Sequence, residues 1–469
     1  MADARVPGPL RRFLSAAFGC VLLSACASGP AGSIPKAASH PLPEIFVSPI
    51  PAPPQPHASR RPGVPPARLD PGSLPPRARP LRPLFEALRN LETGAEAGPV
   101  TILHLGDSHT AGDRFSGRLR ELFQERFGAA GRGALPPGKP FKGFLPRQVS
   151  LHATPGWKTA SSFDAGETGI FGLSGFRVRS HSPDDRMRLD STTPEGFNLV
   201  EVEVLMQPKG GTFRLAVDDR PQGVYTTVAP SPQVGILRLP VPDGSRSVEL
   251  RPLGGGPVEL LSWATQRENH PGIVYESHGI VGATVNIVGR WDPEVTSWEI
   301  AHRAPALIVV VFGTNEGFND TLTEERYEAD FEARLDLLHR AAPEAAILVV
   351  GAPDGQRLSR ACRKAARSSR PFPCGGRGNQ PVRGCHWSTP VNLAMTRAVQ
   401  SRVAARKGYY FWDWSRTMGG VCGMHDWVNR SPQLARGDHV HLQPEGYALS
   451  AEALFADLMA LYGQIPGGK

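Results

Sequence analysis

A serine that is to attack an acyl group must stand clear of packed side chains and within reach of a base, and one segment of the chain meets the first condition. Gly106-Asp107-Ser108-His109-Thr110 directly follows the apolar run Val100-Thr101-Ile102-Leu103-His104-Leu105 and opens a helix. Ser108 therefore falls at a turn where backbone N–H groups favour developing negative charge. A base is offered far downstream, in Gly437-Asp438-His439-Val440-His441-Leu442. The carboxylate of Asp438, three residues before His441, can reach back to imidazole Nδ1 and leave Nε2 free to take a serine proton. His439 lacks that spacing, and its side chain is expected to diverge from that of His441. Gly313-Thr314-Asn315-Glu316 ends another apolar strand, and there Asn315 can offer a side-chain N–H to an oxyanion. In Ser277-His278-Gly279-Ile280-Val281-Gly282-Ala283, either Gly279 or Gly282 can supply a further backbone donor. These residue types suit nucleophilic acyl transfer through a serine, which requires no metal and no organic cofactor.

The elements that must position these residues are legible in the same rows. Val100–Leu105 is short, continuous and bounded by Gly98-Pro99 and Gly106-Asp107, which predicts a buried strand ending in a tight turn. Asp113 is placed to cap a helix whose Phe115, Leu119, Leu122, Phe123 and Phe127 share a face. Ala306–Phe312 and Ala346–Val350 are continuous apolar runs, as expected of a parallel sheet covered on both faces. Helical periods occupy 84–91, 324–341, 391–407 and 444–462, with a further strand at 409–412. Between about 156 and 266 the pattern changes to short alternating runs such as Val200-Glu201-Val202-Glu203-Val204 and Thr212-Phe213-Arg214-Leu215-Ala216-Val217. That period of two, punctuated by Gly, Pro and Asp, predicts an antiparallel β-sandwich interrupting an α/β domain.

Four separated blocks thus occur in the order Ser, Gly, Asn, His, and the chain resembles the SGNH/GDSL hydrolase superfamily over roughly 90–150 and 270–465. Gly-Asp-Ser-His-Thr-Ala-Gly-Asp at 106–113, Gly-Thr-Asn-Glu at 313–316 and Asp-His-Val-His-Leu at 438–442 with Gly446-Tyr447 behind it look closest to the branch of periplasmic peptidoglycan O-acetylesterases. Some members of that branch carry an inserted β-sandwich. The resemblance implies a three-layer, flavodoxin-like parallel sheet, with Ser108 as nucleophile, His441 as general base and Asp438 as its orienter. It further implies the Ser108 N–H, Gly282 and Asn315 as oxyanion donors. Ser277-His278-Gly279 departs from the pattern expected before the block-two glycine, so Gly279 stays open as the alternative. The activity implied is a serine esterase that removes O-acetyl groups from an envelope glycan, peptidoglycan first. Two other readings use the same residues differently: an O-acetyltransferase passing the acyl group to a sugar hydroxyl, and a catalytically silent glycan-binding lipoprotein.

Composition locates the rest. The 469 residues exceed one hydrophobic core. A charge of +8 suits an anionic surface such as cell-wall polymer, whereas no basic run interleaved with aromatics points to nucleic acid. Arg11-Arg12 precede the apolar stretch 13–23 and Leu23-Ser24-Ala25-Cys26. This is similar to the lipobox of bacterial lipoproteins, which implies lipidation at Cys26 and a place in the periplasm, at the outer membrane. Cys362, Cys374, Cys385 and Cys422 are an even set in an exported chain, which predicts two disulfides with three possible pairings; a zinc site is the alternative, without the usual Cys-x-x-Cys pair. Seventeen of the 54 residues from Pro30 to Pro83 are proline, which predicts an extended spacer. The expected organisation is a leader over 1–26, a proline-rich disordered linker over 27–85, the α/β domain over 86–155 and 267–469, and the inserted sandwich over 156–266, in a monomer.

Overall fold

The computed structural model describes residues 44–51, 65–365, 372–375 and 384–465; the leader with Cys26 lies outside them. Five strands form the parallel sheet: β1 (Pro99–Gly106), β2 (Gly272–Gly279), β3 (Leu307–Val311), β4 (Ala346–Gly351) and β5 (Tyr410–Asp413). Their order across the sheet is β2-β1-β3-β4-β5, with every neighbouring pair parallel. This is the doubly wound, flavodoxin-like order, which places ligands beyond the carboxyl ends of the strands.

The continuous apolar runs are explained by burial on both faces. Successive side chains alternate across the sheet. Ile102, Val309, Val311, Leu348 and Val350 pack on one side, with Phe85, Phe115, Phe123, Leu454 and Leu458 of the helices Arg82–Thr93, Phe115–Phe127 and Pro444–Tyr462. Leu103, Leu105, Ile308, Val310, Ile347 and Val349 pack on the other, with Phe331, Leu335, Val399 and Val403 of the helices Glu324–Ala341 and Val391–Lys407.

The β module is two facing sheets, of six and seven strands, around a core that includes Val202, Phe213, Leu215, Leu250 and Trp263. Its boundaries differ from those expected. Gly131–Leu135 pairs with Val258–Gln266, and Val149–Ala153 pairs with Met187–Ser191, so the sandwich begins before residue 156. Gly131 and Gly133 have positive φ and interrupt any alternating pattern, which hides the first of these strands in the sequence.

The proline-rich segment is also more structured than a spacer. Glu44–Phe46 adds in parallel to one edge of the six-stranded sheet, and Ser48–Pro49 adds antiparallel to an edge of the seven-stranded one. Between them Val47 is buried in the sandwich core. Proline is tolerated at such edges because it removes only an outward-facing donor. Further on, Leu69, Leu74, Ala78 and Leu81 join the α/β core, and two 3₁₀ turns start at or next to proline. Residues 65–85 are therefore part of the folded body.

The cysteines pair as Cys362–Cys385 and Cys374–Cys422, which leaves no thiolate among them for zinc. Two buried ionic clusters join the sandwich to the α/β domain. In one, Arg303 donates to Glu276 of β2 at 2.6 Å and to Glu203 of the sandwich strand Phe197–Met206 at 3.4 Å. The other is built on Asp113. Its carboxylate does not cap the helix Phe115–Phe127, whose start has no side-chain cap. Instead it takes both guanidinium N–H groups of Arg120, one from Arg132, the Ser116 and Ser277 hydroxyls and the Arg147 N–H. Two buried arginines outcompete a helix terminus that water or the backbone can satisfy.

Candidate active site

β1 delivers the chain to the carboxyl edge of the sheet, where it must turn at once into a four-residue helix, Ser108–Ala111. Glycine is required at Gly106, because a Cβ there would lie 2.2 Å from Thr110 Oγ1 and 2.7 Å from the Val311 carbonyl. Asp107 then caps the helix, its Oδ1 accepting the His109 N–H at 2.9 Å. Ser108 is thereby presented at the N-terminus of the turn.

Helix Pro444–Tyr462 is preceded by the loop that carries Asp438 and His441. Asp438 Oδ1 accepts the N–H groups of Val440 and His441, each at 2.9 Å, while its Oδ2 lies 2.9 Å from His441 Nδ1. His441 Nε2 lies 3.0 Å from Ser108 Oγ. Partial burial pushes the Asp438 carboxyl up, but the hydrogen bonds from His441 and Val440 outweigh it and hold the group well below the usual carboxylate range. An ionised Asp438 fixes Nδ1 as the protonated nitrogen and leaves Nε2 to accept the serine proton. The side chains of His441 and Asp438 keep 34% and 46% of their surface exposed, so the site opens directly onto solvent. A cavity of about 520 Å³ lies instead at the amino ends of the strands, against Pro99, Val100 and Ala306, away from this chemistry.

His439 turns away from the pair. It has φ +59°, stacks on Trp387 with ring centroids 3.5 Å apart, and lies 3.2 Å from His425 Nδ1. The Cys374–Cys422 bridge holds this side of the loop, because Trp387 bonds the backbone flanking Cys374 and Cys422 precedes the helix of His425.

Asn315 donates from Nδ2 to the Ala283 carbonyl at 2.8 Å, which orients the amide and leaves its second hydrogen available. Gly279 closes β2 in register with Gly106, and a Cβ on it would lie 2.3 Å from the Ala111 nitrogen. Its lack of a side chain is thus what seats the Ser108 helix. Gly282 stands in the following turn with φ +80°, beside the Ala283 carbonyl that Asn315 holds.

Two residues beyond the expected set shape this site. The buried Glu316 carboxylate accepts the Gly313 N–H at 3.1 Å and the Val285 N–H at 2.7 Å, tying the Asn315 turn to the Gly282 turn. His109, also buried, bonds Tyr447 through Nδ1 at 3.0 Å and packs against His441, centroids 5.5 Å apart. Burial, with His441 adding to it, pushes His109 down to about 3, so it stays neutral beside His441. Both residues sit inside the quoted blocks, yet only the tertiary contacts reveal their work.

Glu316 supports a pH prediction. Burial pushes its carboxyl up to about 7, and burial with Glu316 nearby pushes Asp107 up to about 8, against the pull of the backbone N–H bonds. The unfolded chain releases these protons near pH ~4. Between about pH 4 and 7–8 these two carboxyls therefore hold more protons in the folded state than in the unfolded one, and their contribution to stability falls as pH rises, levelling above that window. Buried histidines held neutral, such as His109 and His104, act in the opposite sense below about pH 6.5. The Glu316 share is therefore read in thermal unfolding from pH 5 to 8 as the difference between wild type and Glu316→Gln, which is expected to change across that range. An unchanged slope in that variant would show that Glu316 is not one of the titrating groups.

Comparison with known proteins adds independent findings. Residues 253–449 match the GDSL-like lipase/acylhydrolase family. A solved structure described as a peptidoglycan O-acetylesterase in action is 25% identical, covers 81% of this chain and 96% of its own, and superposes with a TM-score of 0.65. A family two carbohydrate esterase from Clostridium thermocellum in complex with cellohexaose is 12% identical over 66% of this chain and 100% of that one, with a TM-score of 0.27. Another from Cellvibrio japonicus is 10% identical over 67% and 99%, with a TM-score of 0.26; these two superpositions are too poor to bear on the site. Among curated proteins none matches the chain.

Proposed function

We propose that the chain, residues 253–449 of which match the GDSL-like lipase/acylhydrolase family, is a serine esterase of the SGNH/GDSL hydrolase type, and that it removes O-acetyl groups from peptidoglycan through an acyl-enzyme on Ser108. The observation that carries this reading is the likeness to the peptidoglycan O-acetylesterase structure, which extends over 81% of the chain and so over more than the α/β domain alone. The openness of the His441–Asp438 pair supports it, because a sugar hydroxyl embedded in a rigid polymer can reach only a surface site.

In this mechanism His441 takes the Ser108 proton through Nε2 as Oγ attacks the acetyl carbonyl. The oxyanion is met by the Ser108 and Gly282 N–H groups and the free hydrogen of the Asn315 amide, each donor contributing roughly 3 kcal/mol to the transition state. His441 then returns the proton to the departing sugar oxygen, and a water activated by the same nitrogen releases acetate. The exposed base favours water over a sugar hydroxyl as the acyl acceptor. Lipidation at Cys26 would keep the enzyme at the envelope, where its substrate is.

Release of acetate from O-acetylated peptidoglycan and acetylated xylan, and of fatty acid from a triacylglycerol, by the purified chain tests the proposal. The expected order of kcat/KM puts peptidoglycan first. Preference for the lipid ester would overturn the glycan assignment, and preference for xylan would overturn peptidoglycan alone.

A further inference from the structure

The sandwich reaches the active site through the turn that follows its strand Lys158–Ser161. There the ring of Phe163 comes to lie over Gly282, where an added Cβ would stand 3.2 Å from Cζ. Phe163 is 46% exposed and the neighbouring Val281 53%. Neither owes its exposure to a loose loop. The guanidinium of Arg290, at the end of the turn Val285–Arg290 that follows Gly282, donates to the carbonyls of Phe163, Asp164 and Glu167 at 3.2, 2.9 and 3.4 Å. From the other side, Ser161 Oγ accepts the Phe163 N–H at 3.1 Å, and the Ser162 N–H donates to the Gly175 carbonyl at 2.8 Å. An aromatic ring held half in water beside an oxyanion donor is a contact surface, since its own packing gains little from that position.

We propose that Phe163, supplied by the sandwich, contacts substrate: with Val281 it forms an apolar rim that stacks on the pyranose ring bearing the ester. This rests on the sugar-ester reading above. The acyl group must enter beside Ser108, so a rim at the solvent side covers the alcohol portion that stays outside. The C–H face of a pyranose is the part of such an alcohol that an aromatic ring can desolvate favourably. The sandwich thereby completes the active site, and the three carbonyl bonds of Arg290 are what hold that piece in place.

The test compares kcat/KM on glucose pentaacetate and on ethyl acetate, which share the acyl group and differ in the ring. The wild-type chain is expected to favour the sugar ester. Phe163→Ala should lower the ratio of the two constants about tenfold, Phe163→Trp should retain it, and Arg290→Ala, which frees the loop, should lower it as Phe163→Ala does. Val228→Ala, at another half-exposed apolar residue of the sandwich, should leave it unchanged. Equal losses on both esters in Phe163→Ala would overturn the rim in favour of a purely supporting role. So would a loss that tracks acyl length, read by replacing acetate with butyrate on the same alcohol. If Ser108→Ala abolishes both activities while Phe163→Ala leaves the ratio intact, the esterase reading stands and the rim alone falls. If wild type hydrolyses neither ester, both fall together.

Discussion

Ser108→Ala is expected to lower kcat on any acetyl ester by on the order of 10⁶-fold, with KM little changed. At about 1.4 kcal/mol per factor of ten this is roughly 8 kcal/mol of transition-state stabilisation. It is attributed to one hydroxyl because, in the proposed mechanism, its oxygen is the atom that bonds the acyl carbon. His441→Ala should cost about as much, since in the same mechanism Nε2, 3.0 Å from Oγ, is the base that makes attack possible. The double variant should then be no slower than either single one, as groups acting as a unit lose their effect together. Asp438→Asn should cost less, about 10⁴-fold, by favouring the wrong imidazole tautomer while leaving Ser108 and the oxyanion donors in place. Steady-state kinetics with each variant checks the series. Additive losses in the double variant would mean that Ser108 and His441 do not act on the same step, and an undiminished kcat in Ser108→Ala would remove it as nucleophile.

The positions that meet in this contact were legible because each is fixed by local rules. Val100–Leu105 is too apolar and too short to be anything but a buried strand, and Gly106-Asp107 stops it, so Ser108 had to emerge at the sheet edge. The three-residue step from Asp438 to His441 sets the Nδ1 contact without help from the rest of the fold. Four of the five parallel strands were legible for a similar reason: runs such as Leu307–Val311 carry no polar face, and only a sheet covered on both sides can use them. By contrast β2, with Glu276, Ser277 and His278, breaks that pattern and was not expected. What stayed hidden depends on partners far away in the chain. Glu44–Phe46 is a strand only because Arg220–Thr226 offers it an open edge, and nothing within the proline-rich segment announces that edge. Gly131–Leu135 is held by Val258–Gln266, and its glycines erase the alternation that would have marked it. The cysteine pairing joins positions 23 and 48 residues apart in the chain, a relation that no local period describes. Glu316 reads as one more polar residue after Asn315 until its carboxylate is seen bridging Gly313 and Val285. Phe163 belongs to a turn of the sandwich, and its place over Gly282 is a property of how two domains pack.

That packing rests in part on Asp113, and Asp113→Ala is expected to destabilise the chain by about 3–5 kcal/mol. Burial alone would push the Asp113 carboxyl up, yet Arg120 and Arg132 hold it well below the usual carboxylate range. The arginine side chains are 0% and 3% exposed. Removing the carboxylate leaves two buried cations facing each other without an anion, which costs more than the lost pair itself was worth. The Ser116 and Ser277 hydroxyls and the Arg147 N–H lose an acceptor at the same time. Asp113→Asn keeps the shape and some of the hydrogen bonds but not the charge, so it should fall between wild type and alanine. Since a lowered carboxylate value stabilises above the ordinary range and is lost only as pH falls through the folded value, the cost of either variant should be nearly constant from pH 5 to 8. The cluster joins Arg132 of the sandwich strand Gly131–Leu135 to Ser277 of β2, so the loss should also loosen the sandwich on the α/β domain. Urea unfolding followed by tryptophan fluorescence measures the first effect, and amide exchange over 131–135 and 272–279 the second. A destabilisation below about 1 kcal/mol would mean that the arginines find other partners and that Asp113 is not the link between the two halves.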